Sequence, residues 1–153
     1  MQSRPLTRYL PVRDSSFNLR QFIETSGHSL EDNSSTVQLN ATTCQGYLTK
    51  MARHGLHVWH RRWFVFDRAQ RTLRWYTSRP QSAAYRARRA VSFDDVVDVF
   101  VDHMHDVRSP SPQLTFCLKT TDGFYYLVAP NAGTMRIWID VLVTGAQGYQ
   151  EYQ

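Results

Sequence analysis

Only two cysteines occur among the 153 residues, Cys44 and Cys117, too few for a disulfide framework and not at metal-ligand spacing. No apolar run is long enough to span a bilayer, and no apolar signal region follows Met1. A reducing cytoplasmic setting is therefore expected, and the glycosylation sequons at Asn33 and Asn40 are read as chance matches. Catalytic arrangements are missing too. There is no Ser/His/Asp set, no paired carboxylates and no Gly-rich phosphate loop in a proper context, so the chain reads as a non-enzyme without a cofactor. His103 and His105 lie beside Asp102 and Asp106 but have no fourth-ligand pattern, and a solvated turn is favoured over a metal site.

Acid is also scarce where base is dense. From Lys50 to Arg89 there are eleven Lys and Arg against one acid, Asp67, a net of +10 in a chain whose total is +5. The remainder is thus acidic, with five Asp between Asp94 and Asp106. Such asymmetry gives a two-sided molecule with one face suited to anionic partners. Hydrophobic content of 42% and aromatic content of 13% suffice for a well-filled core and exclude global disorder.

Residues 1–43 are rich in Ser, Thr and Asn. They read as an extension with one short helix, Ser16 to Thr25, capped by Ser16, with Leu19, Phe22 and Ile23 on one face and Gly27 as its stop. A flexible link from Ser29 to Thr43 should follow, with the folded domain at 44–147 and a tail at 148–153. Within the domain, seven β-type runs are expected at 45–51, 58–67, 71–78, 88–93, 96–102, 113–120 and 123–129, with turn residues between them. After Pro130 the period changes. Asn131 can cap a helix in which Met135, Trp138, Ile139 and Leu142 recur at helical spacing, and Gly145 sits where it would stop. Short strands followed by one amphipathic helix imply a sandwich or small barrel with the helix over one open end.

The stretch GYLTKMARHGLHVWHRRWFVF, Gly46 to Phe66, carries the functional signal. Side chains on one face of a strand recur every second residue. Gly46, Leu48 and Lys50 therefore share one face, as do His60, Arg62, Phe64 and Phe66 on the next strand. That face is apolar in its middle and cationic at its mouth, which suits an anionic head group.

With GYLTK, WHRRWFVFD and TLRWY in this order, and a last helix with central Trp138, the chain resembles a pleckstrin-homology (PH) domain. LTFCLKTTDGFYYLVAPNAGTMRIWIDVLVTGA, with RPLTRYLP near the start, is similar to the C-terminal PH domain of pleckstrin-homology-like domain family B proteins. The resemblance implies a mainly β fold, a seven-stranded antiparallel, partly open barrel or sandwich capped by one C-terminal α-helix. It implies binding to phosphoinositide-containing membrane and recruitment to the plasma membrane or cell cortex. In family B proteins coiled-coil segments recruit cytoskeletal partners, and no such segment is present in this sequence. The family's lipid pattern carries over to Lys50 and Arg62, with His60 at its middle basic position, His57 where a loop Lys is common, and Arg88 near a further basic position. Trp75 stands where binders often show Tyr; its indole N–H donates but does not accept. Arg53 would add a donor from the loop, and Leu56 and Val58 would dip into the lipid interface.

Three competing readings stand beside this one. Many PH domains serve as protein-interaction adaptors with weak or no lipid binding, using a sheet edge or a helix–strand groove. Nucleic-acid binding through Trp59, Trp63 and Trp75 among arginines is disfavoured, because the strand order fits no such module. For Arg68, Arg71, Arg74 and Arg79, a solvated surface is the favoured reading. Histidine has an ordinary pKa near 6.5, so His54, His57 and His60 should make membrane association tighter at mildly acidic pH. Vesicle sedimentation at neutral and mildly acidic pH checks this, and equal binding at both rejects it.

Overall fold

The computed structural model describes residues 17–52, 58–101 and 109–146. The first helix, α1, spans Leu19–Thr25. Its cap is Asn18, whose side chain accepts from the Gln21 N–H, and not the expected Ser16, which lies outside the described residues. An Asn oxygen three positions before an amide satisfies one of the donors that a helix start leaves open.

Among the described residues all seven expected strands are present, and an eighth precedes them. β1 is Gln38–Leu39, β2 Thr43–Met51, β3 Trp59–Asp67, β4 Thr72–Tyr76, β5 Arg89–Ser92, β6 Val96–Phe100, β7 Thr115–Thr120 and β8 Gly123–Val128. They form one antiparallel sheet in the order β5-β4-β3-β2-β8-β7-β6, with β1 added alongside β2. The sheet is not closed: β5 and β6 are its ends, although Arg89 of β5 pairs with Asp122 in the β7–β8 turn. β2 is the shared strand, pairing along its length with β3 and through Thr49 and Lys50 with β8. The second helix, α2 (Ala132–Val143), is capped by Asn131 as expected.

The core lies between the two halves of the sheet and α2. Phe64, Phe66, Leu73 and Trp75 come from one half, and Phe116, Leu118, Tyr125 and Leu127 from the other. Trp75 meets Tyr125 at 5.4 Å between ring centroids, and Phe64 meets Trp138 of α2 at 6.5 Å. On α2 the fully buried stripe is Thr134, Ile137, Trp138, Val141 and Leu142, while Met135 and Ile139 flank it half-buried. The stripe is thus rotated from the expected one, because α1 also packs on this helix. Gly145 does follow the helix, yet its role is space: a Cβ there would come within 3.1 Å of the Phe66 ring and 3.2 Å of Phe93.

The segment expected to be a flexible link is packed instead. Within it Val37 and Leu39 are buried in the same core as Leu19 and Ile23 of α1. Asn33 is buried, taking the Thr134 hydroxyl on Oδ1 at 3.1 Å and donating to the Ser29 carbonyl at 2.7 Å. Thr36 and Thr134 share a hydroxyl–hydroxyl bond of 2.6 Å, and His28 Nε2 lies 2.6 Å from the Asp140 carboxylate. A glycan on Asn33 would break this network. Gly46 is required by the same packing, because a Cβ there would lie 2.5 Å from the Thr36 carbonyl oxygen. Polar turn residues leave no periodic trace in a sequence, which is why this packing was not foreseen.

Candidate phosphoinositide site

Alternation along β2 and β3 does what the sequence implies: Lys50 faces His60 in the ladder, and Leu48 faces Arg62. Lys50 also pairs with Leu127 of β8, so it stands where the two halves of the sheet meet. Its ammonium lies 5.5 Å from the Trp75 ring centroid and 5.3 Å from that of Tyr125, and donates to the Met51 carbonyl at 3.1 Å. Aromatic faces attract a cation, so the two rings hold this charge at the rim of the core. Arg88 is fixed beside Trp75 by its own N–H, which donates to the Trp75 carbonyl at 2.8 Å.

Lys50, Ala52, His60, Arg62, Trp75 and Arg88 line one hollow of 200 Å³. Five of the seven residues expected to contact a head group are therefore brought together. Arg53 and His57 lie outside the described residues, as does Leu56. Val58 is 44% exposed at the hairpin end, where its carbonyl accepts the Ala52 N–H at 2.8 Å. Burial pushes the Arg62 guanidinium below its ordinary pKa, and the neighbouring Arg88 charge lowers it further. Arg62 and Arg88 have no carboxylate partner among the described residues. Adjacent like charges without a counter-ion repel, and a bound polyanion would relieve that repulsion. Arg89, next in sequence, is instead neutralised by Asp122. Tyr125 was missed from sequence, although its place two residues before the inward Leu127 put it on the same face.

The other arginines divide. Arg71 pairs with Asp94 at 3.4 Å. Burial alone would lower Arg74, but hydrogen bonds and charge attraction from Tyr76 and Asp67 raise its pKa. Arg68 is drawn down to about 10, first by burial and then by Arg71, and its guanidinium carbon lies 4.3 Å from the Phe17 ring centroid. Neither Arg68 nor Arg74 is the freely solvated cation that the sequence suggested.

Asp94 and Asp95 follow β5 at the Arg71 turn, the opposite end of β3 from His60. Eight residue steps of β3 separate the two ends, roughly 26 Å at strand rise. Screening acts over about 8 Å at physiological salt. Changing Asp94 and Asp95 to Asn should therefore strengthen vesicle binding and blunt its selectivity at low ionic strength, with the effect fading at physiological salt. Sedimentation across a salt series measures it, and a flat series would show that these two charges do not act on the membrane.

The PH domain family model matches residues 42–146, more than half of the chain, and the chain belongs to that family. Among solved structures it is similar to the human PH domain of oxysterol binding protein-related protein 11, at 22% identity over 71% of this chain and 83% of that one, with a TM-score of 0.55. The C-terminal PH domain of pleckstrin in complex with D-myo-Ins(1,2,3,4,5)P5 is 22% identical over 67% of this chain and 96% of that one, TM-score 0.50. The Slm1 PH domain in complex with phosphoserine is 14% identical over 67% and 96%, TM-score 0.54. At these identities the likeness is one of fold.

Proposed function

We propose that this chain is a non-catalytic module that binds phosphoinositide head groups and so brings its protein to the plasma membrane or cell cortex. PH domains are in general non-catalytic binding modules, and no helix among the described residues is long and apolar enough to cross a membrane. The observation that carries the reading is the hollow at the open rim of the sheet. Lys50, Arg62 and Arg88 converge there with His60 at its edge and Trp75 as its wall. A multiply phosphorylated ring needs several donors to replace its hydration, and converging cations supply them. Lys50 and Arg62 are the main phosphate ligands, with Arg53, His57, His60, Trp75 and Arg88 as secondary contacts. Leu56 and Val58 enter the lipid interface. The pleckstrin domain crystallised with an inositol pentakisphosphate supports the class of ligand.

Flotation with vesicles containing a defined phosphoinositide tests the reading. The chain should float with at least one phosphoinositide species and stay behind with phosphatidylcholine alone. Failure to float with every phosphoinositide would reject it.

A further inference from the structure

The opposite face of the same hairpin carries a second, differently built hollow. Tyr47 and Trp63 are direct cross-strand partners on the outward side of β2 and β3, and their rings meet edge to face at 4.9 Å. Each ring holds a guanidinium: the Arg61 carbon lies 3.6 Å from the Tyr47 centroid, and that of Arg79 5.1 Å from Trp63. The Tyr47 hydroxyl accepts the Arg79 backbone N–H at 3.1 Å, and Trp63 Nε1 donates to Gln45 Oε1 at 3.2 Å. These rings form the floor of a cavity of 320 Å³. One wall is the extension, through Ser35, Thr36 and Gln38, and another is the strand-to-helix corner at Val128, Ala129 and Pro130.

Trp63 is only 5% exposed, because Tyr47 and Arg79 cover it, so this outward face is not open strand surface. Arg71, Arg74 and Arg89 each pair with an aspartate, whereas Arg61 and Arg79 have no carboxylate partner among the described residues. The one acid between residues 50 and 89, Asp67, is taken up by Arg74 at the far end of β3. A guanidinium whose face rests on an aromatic ring still directs its N–H edges to an acceptor, and Arg79 Nη2 meets only the neutral Gln38 Oε1, at 3.4 Å, a long bond that a carboxylate would replace. Two such edges over an apolar floor match one carboxylate flanked by small or apolar groups. They fall short of the cation cluster that a polyphosphate head group needs. Trp, Tyr and Arg are also the residue types that dominate peptide and protein hot spots.

We infer that this recess is a docking site for a short extended segment of a partner protein, in which an Asp or Glu side chain sits between Arg61 and Arg79 and a neighbouring apolar side chain rests against Tyr47 and Pro130. The inference is independent of the lipid reading, because it uses the other face of the sheet and shares no side chain with the rim.

The test is a titration of the isotope-labelled chain with degenerate short peptides carrying a fixed central Glu, against the same pool with Gln. The Trp63 indole N–H and the Arg79 amide should move with the Glu pool while the Trp75 indole stays put. Losing one charge-assisted contact weakens binding by roughly 10-fold, so the Gln pool and the single variants Arg61→Gln and Arg79→Gln should each fall by about that factor. Equal response to both pools, or no movement of the Trp63 indole, overturns the assignment. So does a Trp63 indole that responds only to a phosphoserine pool or only to phosphoinositide vesicles.

Discussion

Exchanging Lys50 and Arg62 together for glutamine lowers binding to phosphoinositide vesicles by about 100-fold and leaves the fold intact. Each charge-assisted hydrogen bond to a phosphate contributes roughly 1.5 kcal/mol or more, and two of them reach about 3 kcal/mol. The fold should survive because both side chains sit at the rim, beyond the apolar middle formed by Leu48, Phe64 and Phe66. Removing Arg62 also ends its repulsion with Arg88, which already holds its pKa down after burial. Flotation and circular dichroism on the same preparation check both halves of the expectation. A well-folded double variant that binds like the parent would reject the rim as the lipid site and leave the adaptor reading in its place.

Changing Ile23 to Ala should destabilise the whole domain by about 3 kcal/mol, the usual cost of emptying a buried isoleucine site. In a chain of this size that corresponds to a fall of about 9 °C in Tm. The reason is that Ile23, with Leu19, is fully enclosed in the same core as α2. Val97 is 43% exposed, so Val97→Ala serves as the control and should stay within about 0.5 kcal/mol of the parent. Thermal unfolding measures both. A loss below about 1 kcal/mol for Ile23→Ala would show that α1 is an attachment and not part of the folding unit.

The contrast between these variants shows where the sequence was readable. β2 and β4 alternate and α2 repeats at helical spacing, whereas β3 and β7 carry continuous buried runs and stood out by β-type composition between turn residues; each of the seven main strands lies within two residues of its expected bounds. The rim was legible for the same reason, since alternation alone puts Lys50 with Leu48 and Arg62 with Phe64. Arg88 needed one further step, its adjacency to Trp75 through a backbone bond that only the β4–β5 register supplies. What stayed hidden rests on single contacts between distant residues. Asn33 with Thr134, Thr36 with Gly46, and β1 with β2 join a polar stretch to the domain without any repeat to announce it. The outward recess was hidden by the opposite error. Strand periodicity assigns Tyr47, Arg61 and Trp63 to solvent, and only the folded-back extension turns that surface into a cavity.

A sheet that ends instead of closing has one further consequence, which concerns solubility. β5 and β6 each present a row of backbone groups to which a neighbouring molecule could add a strand, the first step towards a fibril. Both are guarded. β5 has only four residues and begins with Arg89, directly after Arg88, while β6 is interrupted by a bulge between Val96 and Asp98. A bulge twists an edge away from flat pairing, and a four-residue strand offers few groups to pair with. The brevity of one edge and the bulge in the other thus protect the open side of the sheet from adding a strand.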